Sequence, residues 1–132
     1  MAESIKFELV SPEKIVLATS AEMVVVPGAE GDFAVLAGHV PMISELRPGA
    51  VEIHQGAAVL DRLFVPGGFA EVSLDRLTVL ADEAVPLASL DRARVEPMIA
   101  DAKEDLEDAK TDEARARAQE KLDQLQALLE AL

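Results

Sequence analysis

The spacing of apolar residues changes period once along this sequence, and that change limits what it can fold into. In the first part apolar and polar positions alternate: Ile5, Phe7 and Leu9 with Lys6 and Glu8, Val51 and Ile53 with Glu52 and His54. A period of two belongs to a half-buried strand. From Val95 onward the apolar residues return every third or fourth position, the period of an amphipathic helix. Composition switches at the same place: all seven glycines and all four phenylalanines precede residue 70, and beyond Pro86 the only proline is Pro97. A domain boundary is therefore expected near residues 85 to 89, giving a β unit over 1–86 and a helical unit over 87–132.

Within the first unit, short apolar runs (EMVVV, FAVL, AVLDRLFV, FAEVSL, RLTVLA) recur between turn signals about every ten residues. Val26-Pro27-Gly28-Ala29, Arg47-Pro48-Gly49-Ala50 and Val65-Pro66-Gly67-Gly68 each place Pro second and Gly third. That pattern predicts three type II turns, since Pro presets φ and Gly supplies φ > 0. With no helix between the strands, the expected fold is an antiparallel β-sandwich of roughly eight to ten strands, not a parallel α/β sheet.

The second unit predicts two helices. Val95, Met98, Ile99, Ala102, Leu106 and Ala109 share one face, and Ala114, Ala118, Leu122, Leu125, Leu129 and Leu132 form a second stripe. Thr111 is placed to cap the second helix, with Asp112 and Glu113 at the favourable end of its dipole. The few residues between the stripes make an antiparallel hairpin. Pro97 is expected to kink the first helix or delay its start. Both stripes are narrow and alanine-rich, so each helix buries little on its partner; they serve helix-on-helix packing, or they read a partner.

Several chemistries are excluded. There is no cysteine, hence no disulfide, thiolate nucleophile or sulfur-ligated metal. His39 and His54, the two histidines, lack H-x-H or H-E-x-x-H spacing, and no G-x-S-x-G, Walker A or G-x-G-x-x-G occurs. Carboxylates such as Glu30 and Asp32 read as a solvated loop in a protein of net charge -13, a charge that disfavours nucleic acid and anionic lipid as direct partners. No stretch approaches the roughly 20 apolar residues a bilayer span needs, and the start MAESIKFELV has no basic n-region, so a soluble protein that keeps its N-terminus is expected. The residues fit a binding and coupling protein better than an enzyme. A free-standing adaptor with the hairpin as a coiled-coil docking arm fits them too.

The order VVVPGAEGDFAVLAGHVPMISELRPG, FVPGGFAEV, TVLADEA and LDRAR with a charged helical tail is similar to the epsilon subunit of bacterial F-type ATP synthases. The G-H-x-P segment through L-R-P-G carries most of the likeness, and V-x-G-G-x-x-E-V comes second. The resemblance implies a non-catalytic rotor subunit of the central stalk, at the cytoplasmic face of the bacterial inner membrane. Its sandwich would attach to the gamma subunit and the c ring, coupling proton-driven rotation to ATP synthesis. It implies that Glu30, Gly31, Asp32 and His39 lie toward the ring. Ala34 and Ala37 depart from the Gly and Pro frequent in the family, which bears on the loop's conformation. The hairpin is implied to be regulatory, extending along gamma toward the alpha and beta subunits to inhibit ATP hydrolysis. No cofactor or metal is implied apart from regulatory ATP, which some members bind at L-D-x-x-R-A; Leu90 to Arg94 match it as far as the arginine, and Val95 replaces the final alanine. Asp91 and Arg94 are thus either a nucleotide-binding pair or a surface ion pair. The closing QLQALLEAL contains no base, so weak inhibition is expected.

Overall fold

The computed structural model describes residues 3–132. It divides into a β unit ending at Pro86 and a helical unit, Leu87–Leu132.

Among the described residues the β unit contains ten strands: β1 (Ile5–Val10), β2 (Ile15–Ala21), β3 (Met23–Gly28), β4 (Gly31–Val35), β5 (Met42–Leu46), β6 (Gly49–Gln55), β7 (Ala58–Val65), β8 (Gly68–Val72), β9 (Arg76–Leu80) and β10 (Val85–Pro86). They form one path, β10-β7-β6-β3-β5-β8-β9-β1-β2, with β4 paired to β3 outside it. The path folds over where β3 meets β5, joined by the single pair Gly28↔Leu46, so two layers enclose one core. This is the expected β-sandwich with one difference: β1 and β9 are parallel. Alternation does what period two requires. Ile5, Phe7 and Leu9 are fully buried, and they pack with Val24, Val26, Val51, Ile53, Leu77 and Val79.

The three Pro-Gly pairs are not type II turns. Pro27 and Gly28 lie inside β3, Gly49 begins β6, and neither Gly28 nor Gly49 has positive φ. Glycine is required there for room. A Cβ on Gly28 would lie 2.6 Å from the Gly31 carbonyl oxygen, and one on Gly49 would lie 2.7 Å from Cβ of Pro27. The third pair is an open bend between β7 and β8, with Gly67 at φ 145° and Gly68 at φ 130° instead of the roughly 80° of a type II turn.

In the helical unit α1 (Arg92–Asp108) follows a short 3-10 turn, and α2 (Asp112–Ala131) follows after three residues. Thr111 caps α2 as expected, its Oγ1 accepting from the Ala114 N–H at 3.0 Å. Pro97 does not delay α1; it sits in the second turn, where its missing donor leaves the Ala93 carbonyl without an i+4 partner. The buried seam is narrower than the predicted stripes: Val95, Ile99 and Ala102 from α1, and Leu122, Leu125 and Leu128 from α2. Met98 is exposed, because at 3.6 residues per turn it falls roughly 60° from Val95, at the stripe's margin. Leu128 takes the buried place assigned to Leu129, which is half-buried.

Candidate interaction site

The tip of the β3–β4 hairpin carries three of the four residues singled out for contact. Gly28 and Gly31 pair across it, leaving Ala29 and Glu30 as the two-residue loop. Two-residue loops ordinarily need φ > 0 within the loop. Neither Ala29 nor Glu30 supplies it, and the unusual dihedral falls on the following residue, Gly31, at φ 144°. A Cβ on Gly31 would meet nothing, so dihedral freedom alone explains that glycine.

The tip is held from the end of β5. The Ala29 N–H donates to the Glu45 carbonyl at 2.9 Å, and the Arg47 N–H to the Pro27 carbonyl at 2.9 Å. The Arg47 guanidinium then spans both strands: Nη1 donates to the Gly28 carbonyl at 2.6 Å, and Nη2 to Asp32 Oδ1 at 2.5 Å. Pro48 follows, which biases Arg47 toward the extended backbone that aims its side chain back along the hairpin. Glu30 is exposed and joins no hydrogen bond or ion pair among the described residues. The tip therefore offers one unpaired carboxylate on a backbone tied at several points. Sequence reasoning missed Arg47 because its partners are 15 and 19 residues away.

His39 belongs to the other end of β4. The backbone reverses over 36–39, closed by the His39 N–H donating to the Leu36 carbonyl at 3.1 Å, with Gly38 at φ 86° and no positive φ at Ala37. This is the type II turn that the Pro-Gly pairs did not make. The Gly38 N–H donates to the Leu74 carbonyl at 2.7 Å. His39 is half-buried; its Nδ1 donates to the Val40 carbonyl at 2.8 Å, and its ring centroid lies 6.3 Å from that of Phe33. No hydrogen bond or ion pair joins His39 to Glu30 or Asp32 among the described residues, so the Phe33 ring is what links the two parts of the site. His54 is elsewhere, on β6, with Nε2 3.2 Å from Glu52 Oε1 while Arg62 Nε donates to Glu52 Oε2 at 3.0 Å. Among the described residues no group of three or more His, Asp or Glu side chains is placed to hold a metal.

The outer face of the second layer carries a row that sequence reasoning also passed over. Cross-strand register places Phe69 beside Leu80, Leu80 beside Val10, and Val10 beside Ile15. Neighbours in register share a face. Phe69 is 53% and Ile15 60% exposed, and Leu80 is exposed as well. The signal was present: FAEV and TVLA carry apolar residues on both parities, so burying Ala70 and Val79 leaves Phe69 and Leu80 outside.

At the start of α1, Asp91 is the N-cap, and its Oδ1 accepts from the Arg94 N–H at 2.9 Å. The surface ion pair expected between them is absent among the described residues, because the carboxylate is turned to the helix end, where the dipole and an orphan donor favour it.

The family model for the beta-sandwich domain of the ATP synthase delta/epsilon chain matches residues 4–87, and the model for the C-terminal domain of the ATP synthase epsilon chain matches residues 91–132. The ATP synthase epsilon chain of Paramagnetospirillum magneticum is 53% identical over 118 residues, 89% of each protein. That of Parvibaculum lavamentivorans is 50% identical over 128 residues, 97% of each protein. Among solved structures, one subunit in the cryo-EM structure of the Euglena gracilis mitochondrial ATP synthase, OSCP/F1/c-ring, shares the fold. Its TM-score is 0.82 at 24% identity, covering 95% of this protein and 79% of that one.

Proposed function

The protein belongs to the ATP synthase epsilon chain family, and on that premise we propose that it is a non-catalytic rotor subunit coupling proton-driven rotation of the c ring to ATP synthesis through gamma. The sandwich attaches by two surfaces of different chemistry. The row of Phe69, Leu80, Val10 and Ile15 docks on gamma, since an apolar stripe of that length on an otherwise acidic protein is suited to lasting association. The tip with Glu30, Gly31 and Asp32 faces the polar loops of the c ring, and His39 shapes the strand that carries it. The observation that carries this reading is the construction of the tip. A charged loop tied at Pro27, Gly28, Ala29 and Asp32 suits a polar contact where register matters more than affinity.

The hairpin unit is the regulatory part. Its thin seam suits an element that exchanges between two dockings, one of them extended toward the alpha and beta subunits. Its last turn has no basic residue to meet an acidic surface, so its inhibition of ATP hydrolysis is weak. Of the two residues considered for regulatory ATP, Arg94 is the one able to take a phosphate, because the Asp91 carboxylate is committed to the cap and closes the N-terminus of α1 to an anion. No helix among the described residues is long and apolar enough to cross a membrane, and attachment to the cytoplasmic face of the bacterial inner membrane runs through gamma and the ring.

Co-purification with gamma tests the docking face. Phe69→Glu should abolish recovery of the complex without lowering the melting temperature of the free subunit; undiminished recovery would remove this face from the reading. Deleting residues 89–132 should leave ATP hydrolysis by the complete enzyme little changed, and a several-fold rise would show strong inhibition instead.

A further inference from the structure

Two carboxylates stand at the β3–β4 tip, two residues apart, and the structure treats them differently. Asp32 is paired with Arg47, while Glu30 has no partner among the described residues. Arg47 also holds the Gly28 carbonyl, immediately before the loop, and through its own N–H the Pro27 carbonyl. One residue thus fixes the hairpin on both sides of Glu30, and it neutralises the carboxylate two residues further on.

The pair lies at the surface, with Arg47 43% and Asp32 59% exposed, so it contributes little to global stability. Its geometric effect is larger than its energetic one. A guanidinium can bond a backbone carbonyl and a carboxylate at once in a fixed plane, which the point charge of a lysine does not reproduce. Gly28 makes the hairpin's close approach possible, and Arg47 then closes it from outside.

We propose that Arg47 is the positioning residue of the ring-facing tip: it pins Gly28 and neutralises Asp32, so that of the hairpin's two carboxylates Glu30 is the one presented, at one fixed position. The partner surface meeting it then needs only one hydrogen-bond donor or cation in register with Glu30. This rests on the reading that the tip faces the c ring.

The absence of cysteine allows a clean test. Glu30→Cys, carrying a short thiol-reactive photo-crosslinker, is assembled into the complete ATP synthase and its cross-link to the c subunit is measured. Arg47→Met in that background should lower the yield several-fold and spread it over more sites on the ring. Arg47→Lys should restore part of the yield, and Asp32→Asn, which leaves the bond to Gly28, should lower it less than Arg47→Met does. Melting temperature and co-purification with gamma should be the same in all variants, which separates positioning from folding. An unchanged yield and pattern in Arg47→Met would overturn the proposal while leaving the ring-facing reading in place. If Glu30→Cys alone gives no ring cross-link, that reading falls and the proposal falls with it.

Discussion

The sandwich and the hairpin are held together in different ways, though both are built from short apolar side chains. In the sandwich, residues from two layers close on one another, and Ile5, Phe7, Leu9, Val24, Val26, Val51, Val65, Leu77 and Val79 lose all contact with water. The six buried residues of the helices belong to two narrow seams, and five of them keep a few per cent of their surface exposed; only Val95 is fully covered. A closed two-sided core gains more burial per residue than a one-sided seam, so the hairpin leans more on local terms such as caps. The roles proposed for them, one unit rigid under load and one that changes its docking, call for opposite solutions, and both kinds of packing occur in 132 residues.

The widest gap between the two should be seen in core truncations. Phe7→Ala should cost about 3–5 kcal/mol in chemical denaturation, since a fully buried ring leaves a cavity that two sheets cannot close. Leu125→Ala should cost about 2–3 kcal/mol, at the low end for leucine, with the helical circular dichroism signal lost before the sandwich unfolds. A single transition with equal costs would break the distinction. Thr111→Ala removes the bond to the Ala114 N–H and should cost about 1 kcal/mol, read as lower helicity with the sandwich unaffected. The smallest effect has the opposite sign. Ala37 is the second residue of a type II turn with negative φ, so Ala37→Pro should stabilise the sandwich by about 0.4–1 kcal/mol, measured as a shift of its denaturation midpoint.

Most of the elements were legible because they are written in local periods. EMVVV, FAVL, AVLDRLFV and RLTVLA all became strands, and Thr111 capped the helix that its position announced. The Pro-Gly pairs misled because one dipeptide serves two physical needs. The turn rule assumes that glycine is there for its dihedral, whereas Gly28 and Gly49 are there for space against Gly31 and Pro27. Asp91 misled in the same manner, since its spacing to Arg94 fits an ion pair as well as a cap and only the geometry chooses the cap. The family resemblance pointed to Glu30, Gly31 and Asp32 as contact residues, but nothing in it singled out Arg47 or divided Glu30 from Asp32.

The sequence by itself determined the two periods, the boundary between them and the cap at Thr111, which depend on residues within a few positions of one another, and the order of its motifs from Val24 to Arg94 determined the family. The tertiary structure decided which glycines turn the backbone and which make room, that Arg47 reaches back 15 and 19 residues to hold the tip, and that Phe69, Leu80, Val10 and Ile15 line up. Those facts depend on strand register and on which strands become neighbours. Both are settled by packing the whole sandwich, and no local pattern encodes them.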